Sequence, residues 1–460
     1  MNANRLISIS RPVIGLCADA VFRIMHGQAR VYWRAPQSNQ VVTGFGSAAD
    51  LRAWGRNRYK DIERQARQLF RDAVVTGDAQ AAPRLFGGFA FRDDFLPDYT
   101  WSVFHPAQFV LPHFQLVEQP TPDAADARPA WLTMNVLVGR DDDVDELLPA
   151  LQTALDARYE WLVSRASKLV DIPVDNPTHA LHSSVATAVR HLISPAQWAS
   201  LIDTAHTYMQ AGRMTKVVLA RACELRSDTA INVEVALARL NRRYPDCYRF
   251  VFEPQVGHVF LGATPELLVN VHGKDLRTMA LAGSIQRGRD ASEDAQLGQA
   301  LLSSEKDRYE HDIVVQSLRA RLGPITQSLS VPDTPVVMPL SNIQHLHTPI
   351  QATLKRRSTA FALAAQLHPT PALGGQPQQA AMDFIRDYEP VPRGWYAAPF
   401  GWVDAKIDGE FVVAIRSAVT HDTEAWLYAG AGIVQASVAQ QEWDETALKF
   451  RPMMEALATD

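Results

Sequence analysis

Hydrophobic and polar positions along this chain follow two periods, and the balance between them shifts from one region to the next. Over the first 120 residues the apolar runs are short and punctuated by Gly and Pro, as in Val31-Tyr32-Trp33 and Leu85-Phe86-Gly87-Gly88-Phe89-Ala90-Phe91. Such runs predict strands. Leu6–Phe22 is apolar but interrupted by Arg11, Pro12 and Asp19, and reads as an internal strand or strand pair rather than a membrane span. Thr121–Pro129, rich in Asp, Ala and Pro, reads as a surface loop.

A helical period then takes over. Asp141-Asp142-Asp143 opens it, Val144, Leu147, Leu148, Leu151 and Leu155 face inward, and Arg165 and Lys168 close it. Acid at the start and base at the end suit the helix dipole. Ile172–Thr178, with two prolines, is the expected boundary between an N-terminal half, 1–190, and a catalytic region, 191–460. The next helix carries an N-cap at Ser194, Pro195 in its first turn and Gln197 completing a capping box. Its buried stripe is Trp198, Leu201, Ile202, Ala205 and Met209, and Gly212 ends it. Strands are predicted at 217–225, 247–253, 257–263, 266–272 and 276–283, followed by one long helix over about 291–322. Further strands at 400–407, 410–416 and 425–434 precede a terminal helix. Strands in series with helices grouped between them indicate an α+β fold.

Composition narrows the function classes. At 460 residues the chain exceeds a usual single core, so two lobes are expected. A net charge of −5 argues against general affinity for nucleic acid or membrane. Cys17, Cys223 and Cys247 show no zinc or redox spacing, which points to a reducing, cytoplasmic setting.

Candidate chemistry lies in the second half. Glu442, Glu445 and Lys449 are spaced i, i+3 and i+7 and share a helix face just after Gly430-Ala431-Gly432. Asp307 and Glu310 form a second i, i+3 pair. These are either two solvated helix faces or a carboxylate site for Mg²⁺, a hard cation served by oxygen ligands. Lys216 heads the alternating run Lys216–Arg221, and is either a strand-edge lysine or a general base against apolar walls. Glu266, in the turn Gly262–Glu266, is either an exposed turn residue or a general acid of raised pKa. Gly430–Gly432 lacks the third glycine and the length of a dinucleotide-binding unit.

One family accounts for these segments together. Lys216–Arg221, Gly262–Leu267, Ala282-Gly283-Ser284 with Arg287-Gly288, Ser304–His311, His368–Ala372, Arg393–Tyr396, Ala414–Arg416 and Ala429–Lys449 occur in that order. The set resembles the chorismate-utilising enzymes over about residues 210–455, with the first 190 residues as the looser half of the same fold. The resemblance implies a two-lobed fold of stacked antiparallel sheets flanked by helices, with the active site between the lobes. It implies that Glu310 and Glu445 bind Mg²⁺, with Asp307 and Glu442 beside them. Lys216 then corresponds to the water-activating base and Glu266 to the acid at the departing hydroxyl. Arg416, Tyr396, Gly432 and Lys449 correspond to a clamp for the enolpyruvyl carboxylate, and Gly283, Gly430 and His345 to contacts along the ring.

Within the family, Ala282 stands where one branch carries a nucleophilic lysine, and Lys216 favours water over ammonia. Ala372 resembles the isochorismate synthases more than the salicylate synthases. The expectation is therefore isochorismate synthase activity, an isomerase reaction, with no glutaminase subunit and a monomer or weak homodimer. A salicylate synthase that also eliminates pyruvate, or a silent chorismate-binding protein, are the alternatives. Menaquinone and siderophore pathways both stay open, with the N-terminal length and the Gly-Gly-Phe-Ala-Phe run leaning to the former.

Overall fold

The computed structural model describes residues 4–36, 40–119, 129–169 and 188–458. Two sheets carry the fold. The larger has thirteen described strands. Its order runs Ala188–His191, Lys216–Arg226, Glu424–Ile433, Ser417–His421, His258–Thr264, Tyr248–Gln255, Arg30–Arg34, Val41–Phe45, Phe114–Glu118, Ala130–Gly139, Asn4–Val13 and Val74–Thr76, with Gly375–Gln376 beside Lys216–Arg226. The smaller has ten, with Ile343–Leu354, Asp275–Gln286, Leu267–His272, Gly409–Val413, Pro399–Asp404 and Arg84–Phe89 consecutive through its middle. Among the described strands only Asn4–Val13 with Val74–Thr76 pair in parallel. Strands from both ends of the sequence meet in each sheet, Arg30–Arg34 pairing Tyr248–Gln255 and Arg84–Phe89 pairing Pro399–Asp404.

Side chains from the facing sheets fill one large apolar core that includes Trp33, Phe86, Phe89, Phe109, Trp395, Phe400 and Phe411, all buried. Aromatic pairs in it approach edge to face, as Phe109 and Phe361 do at 5.1 Å, the arrangement the ring quadrupoles favour.

The helix after Ser194 forms as its pattern predicts. It spans Pro195–Gln210, both halves of the capping box are made, and all five residues of the predicted stripe are buried. Three expectations require correction. Leu6–Phe22 is a strand, Asn4–Val13, followed by a helix, Ala18–Ile24, rather than a strand pair. Asp19 and Arg23 sit at opposite ends of that helix, where each suits the dipole. The long helix over 291–322 is two, Ala291–Ser303 and Glu305–Leu322. Ser304 separates them because its side chain accepts a hydrogen bond from Asp307 N and caps the second. The last strands are also finer than expected, since Ser417–His421 forms a separate strand. The predicted loop Thr121–Pro129, apart from its last residue, and the predicted boundary Ile172–Thr178 fall outside the described residues.

Candidate active site

The chain crosses between the sheets at two adjacent corners, and the site is built on them. At the first, His258–Thr264 of the larger sheet gives way to Leu267–His272 of the smaller, leaving Glu266 in the passage. At the second, Gly409–Val413 of the smaller sheet leads to Ser417–His421 of the larger, and Arg416 lies between. The corners are tied together. Thr264 Oγ1 donates to Val413 O at 2.6 Å, Val413 N to Glu266 O at 3.0 Å, and Ala263 N to Arg416 O at 3.0 Å. Arg416 has φ 51°, a left-handed conformation that costs an ordinary residue about 1–2 kcal/mol. Ala397, with φ 61°, shares that strain, and both residues line the same cavity.

That cavity is lined by Glu266, Gly283, Glu310, His345, Ala372, Tyr396, Arg416, Gly430, Gly432, Glu445 and Lys449 among others. Eleven of the fourteen residues proposed from sequence therefore meet at one place. Of the rest, Lys216 lies directly behind the wall, fully buried, with Nζ 2.9 Å from Glu310 Oε1. Asp307 and Glu442 stand back from the lining. The solvated-face reading of Glu310 and Glu442, and the strand-edge reading of Lys216, give way to burial.

Two helices deliver the carboxylates. Glu310 belongs to Glu305–Leu322, fastened to strand Asp275–Gln286 by buried His311, whose Nδ1 is 3.1 Å from Ala282 O and whose Nε2 is 2.8 Å from Thr348 Oγ1. Glu442, Glu445 and Lys449 belong to Ala439–Leu457. Arg221 anchors this second helix, donating from Nε to Thr446 Oγ1 at 2.7 Å with its guanidinium 3.6 Å from the Trp443 ring centre.

Three lysines balance three glutamates: Lys216 with Glu310, Lys306 with Glu442 at 2.8 Å, and Lys449 with Glu445 at 2.6 Å. Burial pushes the Glu310 carboxyl up, but Lys216, with smaller help from Lys449 and Lys306, outweighs it and holds the group below its usual range. Asp307 and Glu442 are instead raised, by burial first and then by neighbouring carboxylates, with Glu445 acting on both. Acidic oxygens crowded until they repel are a donor set that a hard cation relieves. Among the described residues no group of three or more His, Cys, Asp or Glu side chains is placed to hold a metal ion. Mg²⁺ tolerates that, since it keeps waters and takes oxygens from its substrate. The residues fit the cation.

Glu266 behaves oppositely to Glu310. Burial drives its pKa up to about 8 against the opposing pull of Lys216, Lys449 and Arg416, so it is mostly protonated at pH 7. Arg416 is buried, and among the described residues its side chain makes one hydrogen bond, from Nη2 to His345 Nε2 at 3.1 Å. Among the described residues no carboxylate lies within ion-pair distance of it. Gly432 leaves room for the ion pair beside it, because a Cβ there would stand 2.1 Å from Glu310 Oε1 and 3.2 Å from Lys216 Cε.

Sequence reasoning missed three participants. Lys306 neutralises Glu442; its place in the acidic run Lys306–Glu310 was the available signal. Arg393 lines the cavity and is locked by Glu389, with Nε at 2.7 Å, while its other nitrogens reach Leu373 O and Val218 O. Ser284 also lines the cavity. Its role depends on a partner 61 residues away, which local pattern does not reveal.

Residues 1–458 match the sequence model of the chorismate binding enzymes. A salicylate biosynthesis isochorismate synthase of Pseudomonas aeruginosa is 36% identical over 428 residues, covering 93% of this chain and 84% of that protein. The isochorismate synthase MenF of Bacillus subtilis is 34% identical over 463 residues, covering 98% and 93%. Among solved structures, the menaquinone-specific isochorismate synthase MenF of Escherichia coli superposes with a TM-score of 0.75 at 26% identity, over 98% of this chain and 94% of that one. Anthranilate synthase component I of Streptococcus pneumoniae has the same fold, with a TM-score of 0.70 at 20% identity over 90% of this chain and 92% of that one. From the match along nearly its whole length, this chain belongs to the chorismate binding enzyme family.

Proposed function

We propose that this chain is an isochorismate synthase, converting chorismate reversibly to isochorismate. The observation that carries the reading is the pairing, in one cavity, of a buried guanidinium with no carboxylate at ion-pair distance among the described residues and a carboxylic acid kept neutral at pH 7. An enclosed cation of that kind calls for an anion from the ligand. A planar carboxylate suits the guanidinium fork, with the Tyr396 hydroxyl and Lys449 on the same wall.

The chemistry then divides by protonation state. In its neutral amine form Lys216 takes a proton from water as the water oxygen bonds to C2 of the ring. The ring double bonds shift toward C4, the C4 hydroxyl departs, and Glu266 supplies the proton that makes it water. Base and acid must differ in proton affinity from their ordinary values, and burial supplies that for Glu266. Gly283, Gly430 and Gly432 keep the walls bare of side chains, so the ring lies close to backbone. His345 and Ala372 complete the lining.

Glu310 and Glu445 would hold Mg²⁺, with Asp307 and Glu442 as their neighbours. Bound there, the cation supplies Lewis-acid withdrawal of charge through the ring carboxylate. Isochorismate is a small soluble product, and no described helix is long and apolar enough to cross a membrane.

Purified protein incubated with chorismate and Mg²⁺, followed by chromatography, tests the reading. Isochorismate without pyruvate supports it. Salicylate with pyruvate transfers the assignment to a salicylate synthase, and no turnover leaves only a binding role. Glu445→Gln should weaken both the metal requirement and Mn²⁺ binding measured by titration; an unchanged titration refutes the metal assignment.

A further inference from the structure

The strand Asp275–Gln286 carries a bulge against Ile343–Leu354: Ala282 faces Leu346 and Ser284 faces His345, leaving Gly283 extra. Gly283 has φ +80°, and a Cβ there would stand 3.1 Å from Asp307 Cβ and 3.3 Å from Leu346 Cδ1. The bulge brings two groups to one edge of the His345 ring. Gly283 O lies 3.2 Å from Nδ1 and Ser284 Oγ 2.9 Å from it. On the opposite edge, Arg416 Nη2 is 3.1 Å from Nε2.

These partners leave His345 a single protonation state. A carbonyl only accepts, so Nδ1 must carry a proton. A guanidinium only donates, so Nε2 must be bare. A second proton would remove the bond to Arg416 and set two cations together in a buried site. Burial and the charges of Arg416 and Lys449 press the same way, holding His345 neutral. The titratable and charged groups near the ring are Arg416 and Lys449, with Glu266 and Glu445 on the same cavity.

We infer that Ser284 and His345 are positioning residues for the substrate-carboxylate clamp, a relay from the Gly283 bulge through the His345 ring that fixes the rotamer of Arg416. This rests on the reading of Arg416 as the carboxylate anchor. Ser284 supplies the second contact at Nδ1 and resists rotation of the ring, while the lone pair of Nε2 holds one arm of the fork. The remaining guanidinium donors are then presented to the ligand already oriented, which lowers the cost of ordering them on binding.

Nitrogen NMR on histidine-labelled full-length protein reads the relay directly, whether or not the enzyme turns over. The His345 signals should show a pyrrole-type Nδ1 and a pyridine-type Nε2, unchanged between pH 6 and 8. The reverse tautomer, or titration in that range, overturns the proposal. Kinetics supply the second readout. His345→Leu should raise KM for chorismate about tenfold or more, with a smaller change in kcat, as loss of a hydrogen bond to a charged group implies. His345→Gln, whose amide oxygen can accept from Arg416, should recover most of that loss. Ser284→Ala should raise KM about threefold, with a smaller change in kcat. Equal loss in His345→Leu and His345→Gln, or a fall in kcat with KM unchanged, overturns the relay. An intact NMR pattern in a protein that does not turn over chorismate would instead count against the proposed reaction.

Discussion

Glu266 offers the sharpest quantitative test, because a buried acid of raised pKa predicts both a rate profile and a stability profile. With a pKa of about 8 the side chain is about 90% protonated at pH 7 and about 10% protonated at pH 9. If it is the proton donor, kcat/KM should fall about tenfold across that interval, with a slope approaching one log per pH unit. Glu266→Gln preserves shape but has no proton to give, so kcat should drop by a factor of about 10²–10⁴. Isochorismate formation at limiting and at saturating chorismate, followed by chromatography across pH 6–9.5, measures both. The alkaline limb should disappear in whatever activity the variant retains.

Stability should move in the opposite sense to that of an ion-paired carboxylate. The folded chain keeps a proton on Glu266 that the unfolded chain releases from about pH 4.5 upward. Stability from this group is therefore fully present below that value and is lost as pH rises through about 8. The glutamine variant lacks this loss, so its stability relative to the parent should rise toward pH 9 in urea titrations. A variant that keeps kcat within threefold, or a parent with a flat profile to pH 9.5, refutes the assignment of Glu266 as the acid.

Two further outcomes follow from the neighbouring geometry. Lys216→Met should abolish turnover and destabilise by at most about 3 kcal/mol, because Glu310 reaches the cavity and is not stranded in an apolar core; retained product formation removes Lys216 as base. Gly432→Ala should separate Glu310 from Lys216 and lower kcat at least about tenfold, since the new methyl would take up space held by the Glu310 carboxyl; near-native turnover with the same metal titration would show that the pair tolerates the displacement.

Local chemistry was legible in the sequence wherever one element decided the outcome. Ser194, Pro195, Gln197 and the Trp198 stripe specify their helix without help from the rest of the chain. The break at Ser304 was harder, because no Gly or Pro marks it and a serine cap alone decides. Glu266 and Arg416 owe their places in the cavity to lying at two crossings between sheets, and nothing within a few residues of either reports that. Family motifs named them; packing explains them. Lys306 and Ser284 act through partners 136 and 61 residues away, distances at which periodicity carries no information.

The pairing of early with late strands has a consequence for how this molecule comes to life. Arg84–Phe89 lies against Pro399–Asp404, and Arg30–Arg34 against Tyr248–Gln255, so both sheets close only after very long loops have been gathered. Such non-local pairing makes folding slow. The residues proposed as anion clamp, acid and metal-facing carboxylates come from segments that share no local unit. A partly folded chain should therefore hold neither ligand nor cation, and regain of chorismate binding during refolding should track the slowest phase. Ligand present during refolding should then lock the finished state without hastening its arrival.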